Sequence, residues 1–389
     1  MKKRTINPWL IFAFFTLILL GIIMIYSASA FYAQHRFGDH FYFLKQHLLN
    51  LFVGLIAMLA AFSIPYKKVR GYSWFFLVAS GLLLLYAAIA GKRWVYFGPI
   101  HFQAVDMAKL ALILFFADSI SRKEKLMSNY AEGLFPHLFY LILFALMVLM
   151  QPDFSSAAML ILIGLTMLFA APVRLSHLGA TGLGILPLLI SAVIISPYKM
   201  RRVLSFLNPG DDTQGMGYQV HQSLVSLGRG GISGVGFAGS TQKMFFLPEA
   251  HTDFIFAIIG EEWGLIGTLT IIALFGIILF QGLKIARRAS DKYYFYLIVG
   301  ITAYFAYYAM INMMVTLRLM PATGLPLPFI SYGGTALVLS CFLAGMMLKI
   351  ASEVQRQPVR KKRRSRARSS APVKKRAGTK RTNAAIRRA

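Results

Sequence analysis

Long apolar runs separated by short polar segments repeat along almost the whole chain. A helix needs about 20 residues to cross the hydrocarbon core of a bilayer, and it satisfies its own backbone hydrogen bonds there. Ten such runs predict ten transmembrane helices, near residues 8–28, 46–64, 72–90, 104–121, 134–151, 155–171, 176–195, 253–282, 294–316 and 329–349. None shows the alternation over about ten residues that is typical of outer-membrane barrel strands. The pattern therefore predicts an all-α, polytopic membrane protein.

Composition supports this interpretation and shows where the charge lies. Of the 389 residues, 57% are hydrophobic and 14% are charged, whereas a soluble domain has about a quarter of its residues charged. The net charge of +27 is typical of nucleic-acid-binding proteins, but 15 Lys and Arg and one acid fall in residues 351–389. We therefore divide the chain into a transmembrane domain, residues 1–350, and a disordered basic tail, residues 351–389. Just inside a membrane, such a tail favours anionic lipid headgroups over nucleic acid.

The positive charges between the spans predict the orientation. Cytoplasmic segments of membrane proteins are enriched in Lys and Arg, and these residues gather near the N-terminus, at 67–70, at 122–125, at 284–292 and in the tail. We expect both termini in the cytoplasm and a large extracytoplasmic loop at about 196–252. The alternative that Lys2–Ala30 is a cleaved signal peptide is disfavoured, because its apolar stretch is longer than a usual signal core.

Several charged residues lie at or near membrane depth, where they are costly and often functional. Lys109 follows Asp106 by three residues in the fourth span, so the two share a helix face. They form either a structural ion pair or part of a site. Arg93, in a predicted outer loop, suits an anionic substrate or anchors a helix at the interface. Asp153 follows Pro152 and either caps the sixth span or belongs to a site.

The strongest polar cluster lies at the start of the eighth span, in Leu247–Phe256. Pro248 fits the first turn of a helix, which places Glu249 and Asp253 one turn apart on the same face. Two carboxylates near apolar surface drive one pKa upward, which suits a general base; an acid-rich helix N-terminus is the alternative. The glycine-rich stretch 228–240 lacks the ending of a nucleotide-binding P-loop. It is either flexible or approaches a substrate pyrophosphate.

Motifs spread over about residues 8–350 carry a family resemblance. In chain order they are Tyr26-Ser27-Ala28-Ser29, Arg93-Trp94, Phe102-Gln103 with Lys109, Gln151-Pro152-Asp153, Gly217-Tyr218-Gln219, Gln242-Lys243, Leu247–Ala257, Gly260-Glu261-Glu262 and Pro328–Gly334. Together they resemble the SEDS family (shape, elongation, division and sporulation) of bacterial membrane proteins. The stretch around Asp253 is highly specific, and the Gln-Lys and Gly-Glu-Glu motifs look more like the division-type members than the elongation-type members.

The resemblance implies a peptidoglycan glycosyltransferase that polymerises lipid II into β-1,4-linked glycan at the outer face of the bacterial cytoplasmic membrane, during cell division. By this analogy Asp253 is the catalytic residue. The expected substrate-binding residues are Arg93, Gln103, Lys109, Asp153, Lys243, Glu249, His251 and Ser331. The competing functions are a lipid II flippase, the elongation polymerase of the same family, and a non-catalytic scaffold for cell division.

The same resemblance implies partners and leaves the cofactor open. Besides lipid II, we expect a single-span class B penicillin-binding transpeptidase and other division proteins, with anionic lipids at the tail and no nucleic acid. Because the leaving group is a pyrophosphate, positive charge must balance it. Lys and Arg are one source; a divalent cation, Mg²⁺ or Mn²⁺, is the other, although the sequence shows no dedicated set of metal ligands.

Overall fold

The computed structural model describes residues 7–97, 100–207, 215–248 and 250–356, which form thirteen α-helices and one β-hairpin. The helices are α1 (Pro8–Phe37), α2 (Tyr42–Ser63), α3 (Tyr66–Val69), α4 (Ser73–Ile89), α5 (Ala104–Arg122), α6 (Phe135–Met150), α7 (Phe154–Phe169), α8 (Leu175–Ile194), α9 (Pro197–Leu207), α10 (Met216–Gly230), α11 (Ile255–Arg288), α12 (Lys292–Thr316) and α13 (Gly334–Arg356). Strands β1 (Trp94–Phe97) and β2 (Ile100–Gln103) pair antiparallel, with Trp94 opposite Gln103.

Ten of the described helices coincide with the ten predicted spans, which confirms the all-α polytopic prediction. Among the described residues, seven stretches are long and apolar enough to cross a membrane, and they contain α1, α2, α4, α6, α11, α12 and α13. The other three spans correspond to α5, α7 and α8. Of these, α7 has only 16 residues, and α5 carries charged residues along its length. The chain is an integral membrane protein.

The long connection differs from the prediction of a loop at about 196–252. It contains two helices, α9 and α10, and β1–β2 is likewise a small element that was not predicted. Both helices place apolar residues at helical spacing among Lys, Arg, Gln and Gly. Such amphipathic helices contain no long apolar run, so the criterion that predicts membrane spans does not predict them.

The start of α11 corrects a second prediction. The helix begins at Ile255 rather than at Pro248, so Asp253 lies in the turn before it. In a longer helix the Asp253 carbonyl would accept a bond from the residue four positions on. Instead it accepts a bond of 2.8 Å from the Asn312 side chain, so a tertiary contact replaces a helical one. Glu249 lies outside the described residues, and residues 250–254 form turns rather than the predicted helix.

The first and last helices extend beyond the predicted spans. Helix α1 continues through Ala30 to Phe37 and packs against α2 and α11, which places the proposed signal sequence inside the folded bundle. Helix α13 continues to Arg356, six residues into the segment assigned to the tail. The rest of the tail lies outside the described residues.

Helix α12 lies at the centre and packs against α5, α7, α11 and α13. Its side chains are mostly buried, among them Tyr293, Tyr304 and Phe305. By contrast, the outer helices expose large apolar side chains such as Phe15 and Phe52, as expected where lipid covers the protein. At one end of the bundle, the start of α5, the start of α7 and the turn before α11 come together. This arrangement positions the candidate site.

Candidate active site

A cavity of about 390 Å³ opens at this end of the bundle. Its wall is formed by the ends of β2, α5 and α7, by α9, and by the segment 320–326 that leads toward α13. Among the described residues, the charged side chains that line it are those of Arg93, Asp106, Lys109, Asp153, Lys199, Arg202 and Asp253. The lining therefore combines three carboxylates with four cationic side chains, and the cations can pair with an anionic group of a substrate.

Asp253 reaches the cavity from the turn before α11. The Asn312 side chain donates both to the carbonyl of Asp253, at 2.8 Å, and to the carbonyl of Leu325, at 2.9 Å. This bond pair ties the turn to the wall segment 320–326. Gly324 has a φ of 74°, and a Cβ there would stand 3.4 Å from Asp253 Oδ2. The carboxylate thus lies beside a wall residue without a side chain.

Arg93, Gln103 and Asp153 form one hydrogen-bonded edge of the cavity. The Arg93 Nε donates to the carbonyl of Gln151 at 3.2 Å. The Gln103 side chain donates to Asp153 Oδ2 at 3.1 Å, while Asp153 Oδ1 accepts a bond of 3.1 Å from the Ser156 backbone and so caps α7. Asp153 therefore both caps α7 and lines the cavity.

Asp106 and Lys109 form a buried ion pair in the cavity wall. Lys109 Nζ lies 2.9 Å from Asp106 Oδ1, and both side chains are almost fully buried. Lys109 also donates to the Tyr308 hydroxyl, and Thr335 donates to Asp106 Oδ2 at 2.9 Å. These bonds join α5 to α12 and α13. The pair is structural, and it also faces the cavity.

Two cations on α9, Lys199 and Arg202, complete the cavity and were missed in the sequence. Arg202 donates to the carbonyl of Ala322 at 3.2 Å. Partial burial lowers the pKa of the Lys199 ammonium, the Arg93 guanidinium nearby lowers it further, and Asp153 acts in the opposite direction. The i, i+3 spacing of these cations in an amphipathic segment is the signal that could have identified them.

Most of the chain is similar to proteins of one known family. A family described as cell cycle protein, FtsW/RodA/SpoVE, matches residues 8–356. The chain belongs to this family. Stage V sporulation protein E of Bacillus subtilis is 37% identical over 361 residues, which cover 90% of this chain and 99% of that protein. A probable peptidoglycan glycosyltransferase FtsW of Geobacter metallireducens is 37% identical over 346 residues, covering 87% and 92%.

Solved structures of lower sequence identity share the fold. One, described as the structural coordination of polymerization and crosslinking by a peptidoglycan synthase complex, aligns with a TM-score of 0.74 at 24% identity, covering 91% of this chain and 99% of the other. The rod shape determining protein RodA of Thermus thermophilus aligns with a TM-score of 0.66 at 21% identity and the same coverage. The sequence resemblance to the SEDS family, to which FtsW, RodA and SpoVE belong, is thus confirmed.

Three residues of the family motifs do not line this cavity, and their predicted role in binding substrate stays a prediction. Lys243 is buried in an ion pair with Glu262. His251 packs among aromatic rings, and its carbonyl accepts a bond from the Tyr332 backbone. Ser331 is buried, and its hydroxyl accepts a bond of 2.8 Å from the backbone of Leu327. All three residues therefore make contacts within the protein, outside the cavity lining.

The described residues hold no preassembled set of metal ligands at this site. No group of three or more His, Cys, Asp or Glu side chains that could hold a metal occurs among the described residues. At the cavity, Asp153 already accepts bonds on both oxygens, and Asp106 is paired with Lys109. Among the described residues, the positive charge at the cavity comes from Lys and Arg side chains.

Proposed function

We propose that this chain is a peptidoglycan glycosyltransferase that polymerises lipid II, with Asp253 as the general base. The observation that carries the proposal is the position of the Asp253 carboxylate in a cavity that Arg93, Lys199 and Arg202 also line. A base and a set of cations are the two requirements for transferring a sugar from a pyrophosphate. Membership of a family with relatives named peptidoglycan glycosyltransferase supports the same activity.

The reaction needs only one proton acceptor. Asp253 takes the proton from the 4-hydroxyl of the acceptor sugar, and the oxygen of that hydroxyl attacks the anomeric carbon of the donor glycan. The bond from this carbon to the phosphate oxygen breaks, and its electron pair leaves with the undecaprenyl pyrophosphate. Displacement from the opposite face converts the α linkage into β-1,4. The pyrophosphate leaves without a strong acid, unlike the leaving group in hydrolases that use two carboxylates.

Stabilising the leaving group is the task of the cations. Arg93 and the α9 residues Lys199 and Arg202 line the same cavity, and we assign them to the two phosphates. Arg side chains bind phosphate oxygens with two parallel hydrogen bonds, whereas Lys acts as a point charge. Lys109 faces the same cavity, but its charge is largely balanced by Asp106. A divalent ion bound by the pyrophosphate itself is the second source of charge, and polymerisation in excess chelator tests it.

The cavity faces the outside of the cytoplasmic membrane in this proposal. Clusters of Lys and Arg, including Lys67, Lys68, Lys123 and Arg288, lie in connections at the other end of the spans, as expected for a cytoplasmic side. Both termini are then cytoplasmic. The new strand emerges where a class B penicillin-binding transpeptidase could cross-link it during septum formation. Similarity to a chain from a peptidoglycan synthase complex supports such a partner.

The test is polymerisation by the purified protein. Labelled lipid II in detergent micelles reaches either side of the protein, so transport across a membrane is not required. We expect muramidase-sensitive glycan chains and released undecaprenyl pyrophosphate. Adding the transpeptidase should make the chains longer or raise the rate of their synthesis. Intact lipid II after incubation under both conditions would contradict the proposal and favour the flippase or scaffold alternatives.

A further inference from the structure

Two consecutive glutamates of α11, Glu261 and Glu262, are almost completely buried. Glu262 accepts bonds of 2.6 and 2.7 Å from the Ser27 hydroxyl of α1 and pairs with Lys243 Nζ at 2.8 Å. Glu261 accepts a bond of 3.2 Å from the backbone of Thr241. Neither glutamate lines the cavity. Both instead hold the stretch that precedes the Asp253 turn.

Helix α11 is interrupted just after these glutamates, and the glycine-rich stretch bonds to the peptide groups that the interruption leaves free. Gly264 has φ 65° and ψ −156°, which no helix allows. The freed carbonyls of Glu261 and Glu262 accept bonds from the backbone of Val235 and Gly236, both at 3.0 Å. A Cβ on Gly264 would stand 2.5 Å from Gly234 N, so a side chain there would force the two segments apart. Residues 231–236 are therefore hydrogen-bonded to α11 along the interruption. This structural attachment is a role that the sequence did not predict for the glycine-rich stretch.

Lys243 completes this attachment. Its ammonium has three donors, and it contacts Glu262 Oε1 at 2.8 Å, the Ala238 carbonyl at 2.8 Å and the Ser27 hydroxyl at 3.1 Å. All of its donors are used within the protein. The Lys243 side chain is only 6% exposed, so it has no hydrogen-bonding capacity left for a substrate in the cavity.

The described part of the chain from Lys243 to Asp253 contains turns and no helix or strand. Its position therefore depends on tertiary attachments, and near its downstream end the His251 carbonyl accepts a bond from the Tyr332 backbone. The downstream end is held by Asn312, which bonds to the Asp253 carbonyl. The upstream end is held by Lys243. A buried ion pair gains little stability over an apolar pair, because both charges lose their water. What this one supplies is a fixed geometry.

We propose that Lys243, Glu262 and Ser27 are positioning residues that hold the Asp253 turn in register with the cavity. The proposal rests on the proposed function, since its kinetic consequence is the rate of sugar transfer. The three groups act at a distance from substrate. Their loss is expected to lower kcat and to leave the binding of lipid II nearly unchanged.

The test uses full-length protein in nanodiscs and compares the wild type with two double variants. In Lys243→Met with Glu262→Gln both charges are removed together, so that no unpaired charge is left buried. In the control, Lys349→Met with Glu353→Gln, the ion pair of 3.3 Å on α13 is removed. Polymerisation of lipid II and hydrogen exchange of residues 244–253 are measured for each. Ser27→Ala is a milder variant that removes a single hydroxyl.

For the first pair we expect kcat to fall about 10- to 100-fold, as small misplacements of a catalytic group do, with KM for lipid II within about twofold. Exchange of residues 244–253 should rise. Ser27→Ala should lower kcat about fivefold, and the control should change none of these quantities. A wild-type kcat in the first pair, or a raised KM with kcat retained, overturns the proposal. If the wild type makes no glycan, the proposed function fails, and unchanged exchange in the first pair overturns the positioning role separately.

Discussion

The Asp106–Lys109 pair allows a prediction that separates stability from catalysis. Lys109→Met leaves Asp106 buried without its partner, and Asp106→Asn does the same to Lys109. Because both side chains are almost fully buried, each single change should cost about 3–5 kcal/mol. The double variant loses the attraction but contains no unpaired charge, so it should be more stable than either single variant by at least about 2 kcal/mol.

Unfolding can be followed through the sole cysteine of the chain, Cys341, which is fully buried in α13. A thiol-reactive fluorescent dye labels it only when the bundle opens. We expect the single variants to unfold about 5–10 °C below the wild type, and the double variant to recover most of this difference. Single variants as stable as the wild type, or a double variant as unstable as the singles, would refute the energetic reasoning.

Activity of the double variant then tests whether Lys109 also acts on substrate. Since Lys109 lines the cavity, we expect the folded double variant to polymerise lipid II at least about tenfold more slowly than the wild type, which corresponds to about 1.4 kcal/mol of transition-state stabilisation. Wild-type kcat/KM in the double variant would show that Lys109 serves only the structure.

Three further predictions concern the turn, α9 and the tail. Asn312→Leu removes both bonds to the carbonyls of Asp253 and Leu325, so kcat should fall about tenfold or more with little change in KM, measured by lipid II polymerisation. Lys199→Gln should raise the KM for lipid II. In the wild type, binding of lipid II should weaken at a lower alkaline pH than an ordinary Lys would give, because the pKa of Lys199 is lowered. Lys199→Arg should keep the binding and shift this weakening to higher pH. A peptide of residues 357–389 should bind vesicles that contain anionic lipid and should dissociate in high salt; binding equally well to neutral vesicles would contradict this.

The transmembrane architecture could be predicted because the bilayer imposes a simple rule on each span. About 20 apolar residues are required whatever the neighbouring helices are, so even α5, with its charged residues, was found by its apolar run. The rule does not extend to elements outside the hydrocarbon. Helices α9 and α10 are amphipathic, and the break of α11 at Gly264 depends on backbone bonds from a segment about 30 residues upstream.

The candidate site was predicted in part, for a related reason. Arg93, Gln103, Lys109, Asp153 and Asp253 belong to family motifs and line the cavity. Motif membership alone does not distinguish a residue that faces the cavity from one that supports it. Lys243 illustrates this limit, because a Lys suggests an anion-binding role in the sequence, and only the position of Glu262 assigns it to an internal ion pair.

The start of α11 depends on a long-range contact that the local sequence pattern does not reveal. Pro248 is a sound signal for a helical first turn, and on spacing alone the helix should include Asp253. The carbonyl of Asp253 is instead bonded to Asn312, which follows 59 residues later. A contact of this sequence separation decides the conformation of the turn, and with it the position of the carboxylate.

Asp253 is the proposed base of the polymerase, and the substitution Asp253→Asn tests this role most directly. The variant keeps the size of the side chain and removes the proton acceptor; Asp39→Asn, in an exposed pair with Lys45, is the matched control. Both are reconstituted in membranes with lipid II, and glycan chains are measured alongside Cys341 labelling as a check of folding. We predict a folded Asp253→Asn protein that makes no glycan, beside a control that polymerises like the wild type. Wild-type glycan synthesis by Asp253→Asn would remove Asp253 from the mechanism.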